Sequence, residues 1–134
     1  MRKFGLIGYP LGHSFSKKYF SEKFIGDNIS DCQYENYPLT SIDLLDELIS
    51  SNSDLYGLNV TIPYKSAVIK YLDYIDEQAR SVGAVNVLKF KRSADKVVSK
   101  GFNTDIDGFR NSIFPYLGER VINALVLGTG GGAK

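Results

Sequence analysis

Short apolar or aromatic runs alternate along this chain with segments of helical periodicity, and that order restricts the fold to a sheet with helices packed on it. Residues 4–8, an apolar Phe-Gly-Leu-Ile-Gly run, read as a strand, and residues 17–25 as a helix carrying Phe20, Phe24 and Ile25 behind a Ser16 cap. Residues 32–38 contain Tyr34, Asn36 and Tyr37 and favour a second strand. Residues 41–49 place Ile42, Leu45, Leu48 and Ile49 on one helical face, with Thr40 or Ser41 as cap. A third strand is predicted over residues 55–60. Residues 64–82 read as two short helices jointed near Asp73, with Val68, Ile69, Leu72, Ile75 and Ala79 as their apolar positions. Residues 85–90 and 96–102 flank the polar segment KRSAD and predict a hairpin. Thr104 or Asp105 is expected to cap a helix through Ile106, Phe109 and Ile113 that stops before Pro115. The result is an α/β fold with a mainly parallel sheet flanked by helices, and a β-hairpin. Ligands in such sheets sit at the carboxyl ends of strands, which directs attention to the loops after Gly8, Val60 and Phe102.

Composition removes several classes of function. Sixteen Lys and Arg against fifteen Asp and Glu leave a net charge of +1 over 134 residues, so no broad basic surface for nucleic acid or anionic membrane is expected. No apolar run approaches the ~20 residues of a membrane span. The basic start is followed by an apolar run that Gly8, Pro10 and Gly12 interrupt, which reads as strand and loop rather than a secretory signal. One cysteine, Cys32, cannot form an internal disulfide, and one histidine, His13, cannot supply a His-rich metal site. A reducing, cytoplasmic compartment and no metal are the expectations.

Four internal motifs carry polar residues where a strand ends. GHSFS, Gly12 to Ser16, lacks the final glycine of a nucleophile elbow and has no later histidine as base. Its serines either cap a helix or bind a small polyol or carboxylate through hydroxyls that donate and accept. NVTIPYK gathers Asn59, Thr61 and Lys65 around Pro63 at the end of a strand. Lysine suits proton transfer because its ammonium shifts pKa readily when desolvated, although a lone lysine is more often a solvated surface group. The N-V-T within it matches a glycosylation acceptor, without weight in the absence of a secretory signal. GAVNVL places Asn86 inside an apolar run, where the amide either satisfies local backbone or faces a ligand. NTD, with Asn103, Thr104 and Asp105, either caps the following helix or pairs an aspartate with Lys65 as an acid/base couple.

The apolar run of residues 121–127 leads into GTGGGAK. This fits the dinucleotide fingerprint G-x-G-x-x-A at Gly128, Gly130 and Ala133, with Gly131 between them. A Walker loop and a flexible glycine tail are the rival readings. The residue that selects NAD or NADP falls about 20 positions further on.

GHSFS, NVTIPYK, GAVN, NTD and GTGGGAK, in this order, resemble the shikimate dehydrogenases, enzymes that reduce 3-dehydroshikimate to shikimate with NADPH. The resemblance implies a substrate-binding domain over residues 1–118, and over residues 119–134 the first strand and glycine turn of a Rossmann-type domain. It implies that Ser14 and Ser16 hold the substrate carboxylate. Asn59, Thr61, Lys65, Asn86 and Asp105 are then expected at the ring hydroxyls and the reacting centre, with Lys65 and Asp105 as the catalytic pair. Gly128, Gly130, Gly131 and Ala133 are expected to belong to the NADP site. Two departures stand out: Lys17 follows the second serine where many members have proline, and the glutamine-bearing carboxy-terminal segment is missing, as is nearly all of the cofactor domain. The chain alone is therefore expected to be catalytically incompetent and not to bind NADP. Shikimate or 3-dehydroshikimate is the expected partner, and the oligomeric state stays open. A quinate-using relative and a shikimate-binding module without catalysis are the alternatives.

Overall fold

The structure, a computed structural model, describes residues 1–12, 14–117, 123–130 and 133. Its strands are β1 (Arg2–Gly8), β2 (Cys32–Pro38), β3 (Leu55–Val60), β4 (Tyr74–Ile75), β5 (Val87–Arg92) and β6 (Val97–Phe102). Its α-helices are α1 (Ser16–Gly26), α2 (Leu45–Ser51), α3 (Glu77–Val82) and α4 (Asp105–Leu117). The strands form one sheet in the order β2-β1-β3-β5-β6-β4. β1 pairs in parallel with β2 and β3, and β4 with β6, whereas the β5–β6 hairpin joins β3 antiparallel. The sheet is thus mixed, with the α/β character expected of the alternating pattern.

This topology gathers the functional loops at one edge. The parallel strands β1, β2 and β3 all end there. Because β5 runs the other way, its first residue Val87 lies opposite Asn59, and the last residue of β6, Phe102, lies opposite Val87. The loops after β1, β3 and β6 and the segment entering β5 therefore converge. Gly8 makes the first approach possible: a Cβ there would lie 2.5 Å from Thr61 Cγ2 and 2.8 Å from the Ile62 carbonyl.

Side chains alternate between the two faces of the sheet. One face carries Ile7, Leu58, Val60, Leu88 and Phe90, and the core also takes in Leu45 of α2, Ala79 of α3 and Val68 between them. Ile7, Leu45, Leu55, Leu88, Val68 and Val85 are the largest fully buried side chains, each contributing roughly 1.5–3 kcal/mol of hydrophobic stabilisation. The other face is covered over β1 and β2 by α1, through Phe24 against Phe4 and Phe20 stacked on Tyr34.

Several elements differ from the sequence reading. Residues 64–82 do hold two short helical segments, but the first is a 3-10 helix (Ala67–Tyr71) and the two-residue strand β4 stands between it and α3. Asp73 explains the difference: its Oδ2 accepts from the Ser99 N–H at 2.8 Å and the Ser99 hydroxyl at 2.9 Å, which draws the next two residues onto β6. Those bonds hold the Asp73 carboxyl below the usual carboxylate range. A left-handed Gly83, φ 63°, ends α3. Ser41 does accept from Asp43 N, as a cap should, but the turn it opens is a 3-10 helix (Ile42–Leu44) that leads into α2. Ser16 is not the cap of α1. It is already helical, and Ser14 Oγ accepts from its N–H at 3.3 Å.

The last helix, α4, does not stop before Pro115 but continues to Leu117. Proline there leaves only the Asn111 carbonyl without its helical donor, and Asn111 is exposed. No residue of α4 is buried. The strand expected over residues 121–127 is not formed where it is described: residues 123–127 have no regular structure and no ladder partner among the described residues. Residues 121 and 122, and the expected domain boundary at residues 118 and 119, lie outside the described residues. No described helix is long and apolar enough to cross a membrane.

Candidate functional site

The segment after β3 is held in place by backbone and phenol contacts. The Thr61 N–H donates to the Ile7 carbonyl at 2.9 Å, and Tyr64 N–H closes a turn onto the Thr61 carbonyl. Tyr64, buried, donates its hydroxyl to the Leu39 carbonyl at 2.6 Å. The Lys65 carbonyl accepts from Val85 N at 2.7 Å, so the backbone of Lys65 is tied to the strand entry that carries Asn86.

From this anchored position Lys65 Nζ donates to Asp105 Oδ2 at 2.6 Å. The other carboxylate oxygen, Oδ1, accepts from Asn86 Nδ2 at 2.7 Å. Asn86 also donates to Thr104 Oγ1 at 3.0 Å and accepts from the Thr104 N–H at 2.9 Å. Both oxygens of Asp105 are thereby oriented by protein donors. The lysine side chain is 20 % exposed and the aspartate 49 %; a pair so open to water is worth only about 0–1 kcal/mol. Stability alone gives little reason for the arrangement, whereas a cation held on an anchored backbone beside an oriented carboxylate is equipped to move a proton.

Neither Thr104 nor Asp105 caps α4. Asn103 does so: its Oδ1 accepts from Asp105 N at 2.9 Å and Ile106 N at 3.3 Å, while its Nδ2 donates to the Ala84 carbonyl at 3.0 Å. One buried amide thus joins the entry to β5 to the start of α4 and sets where Asp105 stands. The signal was present in the sequence as an asparagine two residues before the aspartate, a spacing that matches an N-cap.

Ser14, Ser16 and Thr61 line a cleft of about 550 Å³ with Leu6, Tyr9 and Ile62 among its walls. The structure brings Lys65, Asn86 and Asp105 into one network and the two serines and Thr61 into this neighbouring cleft. Asn59 accepts from the Tyr34 hydroxyl at 2.7 Å and lines, with Tyr34, a second hollow rather than this cleft. Lys17, which departs from the resemblance, donates to Glu35 Oε2 at 2.5 Å and fastens the start of α1 to β2; its ammonium holds the Glu35 carboxyl below the ordinary range. The second hollow, of about 560 Å³, lies between α1 and the sheet. Its lining, with Phe4, Phe20, Phe24 and Tyr56, includes no carboxylate, and Lys65, Asn86 and Asp105 line neither hollow.

The glycine turn stands apart. Gly128 has a φ of 125°, and a Cβ added at Gly130 would meet nothing within 4 Å. Ala133 N donates to the Gly130 carbonyl at 2.9 Å. Such bare backbone suits close approach of a pyrophosphate. Gly131, like His13, lies outside the described residues. No cluster of three or more His, Cys, Asp or Glu that could hold a metal occurs among the described residues.

A shikimate dehydrogenase (NADP(+)) of Staphylococcus aureus (strain Newman) is 40 % identical over 137 residues, covering 98 % of this chain and 48 % of its own length. A crystal structure of shikimate dehydrogenase 1 from Peptoclostridium difficile superposes with a TM-score of 0.84 at 36 % identity, over 99 % of this chain and 49 % of that one. A shikimate dehydrogenase from Thermus thermophilus, solved in complex with shikimate, gives a TM-score of 0.80 at 29 % identity, over 99 % and 49 %. The chain therefore spans about half the length of the curated relatives it matches. The family model of the shikimate dehydrogenase substrate binding domain matches residues 6–88, which include the serine loop, the segment after β3 and Asn86. The chain belongs to the shikimate dehydrogenase substrate-binding domain family.

Proposed function

We propose that this chain is the substrate-binding part of an NADP-dependent shikimate dehydrogenase, which reduces 3-dehydroshikimate to shikimate. The observation that carries the reading is the Lys65–Asp105 pair, with Asn86 on the second carboxylate oxygen, at the edge where the strand ends converge. Ser14 and Ser16 supply hydroxyl donors for the substrate carboxylate. Asn59, Thr61, Asn86 and Asp105 hold the ring hydroxyls and so present the ring carbonyl to Lys65. As negative charge develops on the carbonyl oxygen, the Lys65 ammonium gives it a proton, and Asp105 holds that ammonium aimed beforehand. Gly128, Gly130, Gly131 and Ala133 would hold the pyrophosphate of NADPH through backbone amides. When bound, NADPH supplies the hydride that reduces the carbonyl carbon. The same reading places the protein in the cytoplasm, where the free thiol of Cys32 stays reduced.

Steady-state assay of a full-length protein containing this chain tests the reading. Shikimate-dependent reduction of NADP is expected, with quinate turned over far more slowly. Equal turnover of quinate would make the protein a quinate/shikimate dehydrogenase, and shikimate binding without any turnover would make it a binding module.

A further inference from the structure

Tyr34 combines deep burial with a polar group that the core does not need. It sits on β2, one strand beyond β1, is 3 % exposed and stacks on Phe20 of α1 with ring centroids 4.6 Å apart and planes 15° apart. Phenylalanine would pack there equally well and would avoid the cost of taking a hydroxyl out of water. The hydroxyl instead reaches across β1 to donate to Asn59 Oδ1 at 2.7 Å. Asn59 shares this face of the sheet with Leu6 and Val87, its apolar ladder partners. Its Nδ2 has no acceptor among the described residues.

An asparagine amide is nearly symmetric in shape, yet its two ends are opposite in hydrogen-bonding character. Turned one way Asn59 offers the ligand two N–H donors; turned the other way it offers an acceptor. We infer that Tyr34 is a positioning residue for the candidate site: by donating to Asn59 Oδ1 it locks the amide so that Nδ2 is the end offered to a ligand hydroxyl. Burial pushes the Tyr34 phenol pKa upward, so the donor hydrogen is retained at any pH at which the protein works, and the nearby Ser16 hydroxyl opposes only part of that rise. Ser16 is one of the serines proposed to hold the carboxylate. The inference rests on the reading of this region as a shikimate site.

Tyr34→Phe keeps the ring and its stack and removes only the donor. Shikimate titrations followed by ¹⁵N NMR are expected to show affinity about tenfold weaker in Tyr34→Phe, the usual scale for one hydrogen bond. In an Asn59→Ala background the same change should cost little further, because the amide on which Tyr34 is proposed to act is already gone. Without ligand, the Asn59 Nδ2 resonances should move in Tyr34→Phe while the backbone amides of β2 and β3 hold their positions. Wild-type affinity in Tyr34→Phe, or an equal loss in both backgrounds, would overturn the positioning role and leave Tyr34 a packing residue. If the unaltered chain does not bind shikimate, the functional reading fails, and the ligand-free Asn59 signal alone decides: unmoved, it overturns the role; moved, it upholds the amide lock.

Discussion

Replacing Lys65 by alanine in a full-length protein that contains this chain is expected to lower kcat by about 10²-fold or more while changing KM less, the usual scale for loss of a general acid. Ser14→Ala is expected to do the reverse, raising KM by the roughly 1.5–3 kcal/mol of a hydrogen bond to a charged group and leaving kcat nearly intact. The contrast follows from when each group is needed. The proton on Lys65 matters only as charge develops on the carbonyl oxygen, whereas a carboxylate held by Ser14 is charged throughout. Steady-state kinetics of both variants at saturating NADPH separate the roles. A raised KM with unchanged kcat in Lys65→Ala would reduce the lysine to a binding residue.

Asn103→Ala is expected to destabilise the chain by about 3 kcal/mol. Loss of a helix cap accounts for roughly 0.5–2 kcal/mol, and the Ala84 carbonyl, left without its Asn103 donor, adds about 1–3 kcal/mol of desolvation. Asn103→Asp keeps an acceptor for Asp105 N and Ile106 N but sets a carboxylate oxygen against the buried Ala84 carbonyl, so it should be no more stable than alanine. Urea unfolding of the three proteins measures the series. A loss below about 1 kcal/mol for alanine would mean that α4 is capped by something other than Asn103.

The polar residues at strand ends were legible because their positions conflict with what a strand end prefers. Asn59, Thr61 and Lys65 interrupt an otherwise apolar and proline-bounded stretch, and Asn86 interrupts another. Their convergence needed the topology, since Lys65 and Asp105 are separated by 40 positions and meet only because β5 and β6 reverse direction. Strand β4 was invisible for a different reason: two residues carry no periodicity, and the strand exists through Asp73 and its bonds to Ser99. The sequence points to Thr104 or Asp105 as the cap of α4 because Asn103, Thr104 and Asp105 are all good capping residues. Bonds to Asp105 N and Ile106 N, with the contact to Ala84, distinguish Asn103. Local pattern marks Tyr34 as a strand aromatic, which it is; its bond to Asn59 spans 25 positions and leaves no trace in that pattern. Helix α4 runs past Pro115 because so late a proline forfeits a single exposed hydrogen bond.

Mapping of shikimate onto the chain tests the central claim most directly. Titration of ¹⁵N-labelled chain with shikimate should shift, saturably, the signals of Ser14, Ser16, Asn59, Thr61, Lys65, Asn86 and Asp105, while signals lining the aromatic hollow between α1 and β5 stay in place apart from Tyr34 and Asn59. Saturable shifts confined to that hollow, or no shift at high millimolar shikimate, would contradict the account.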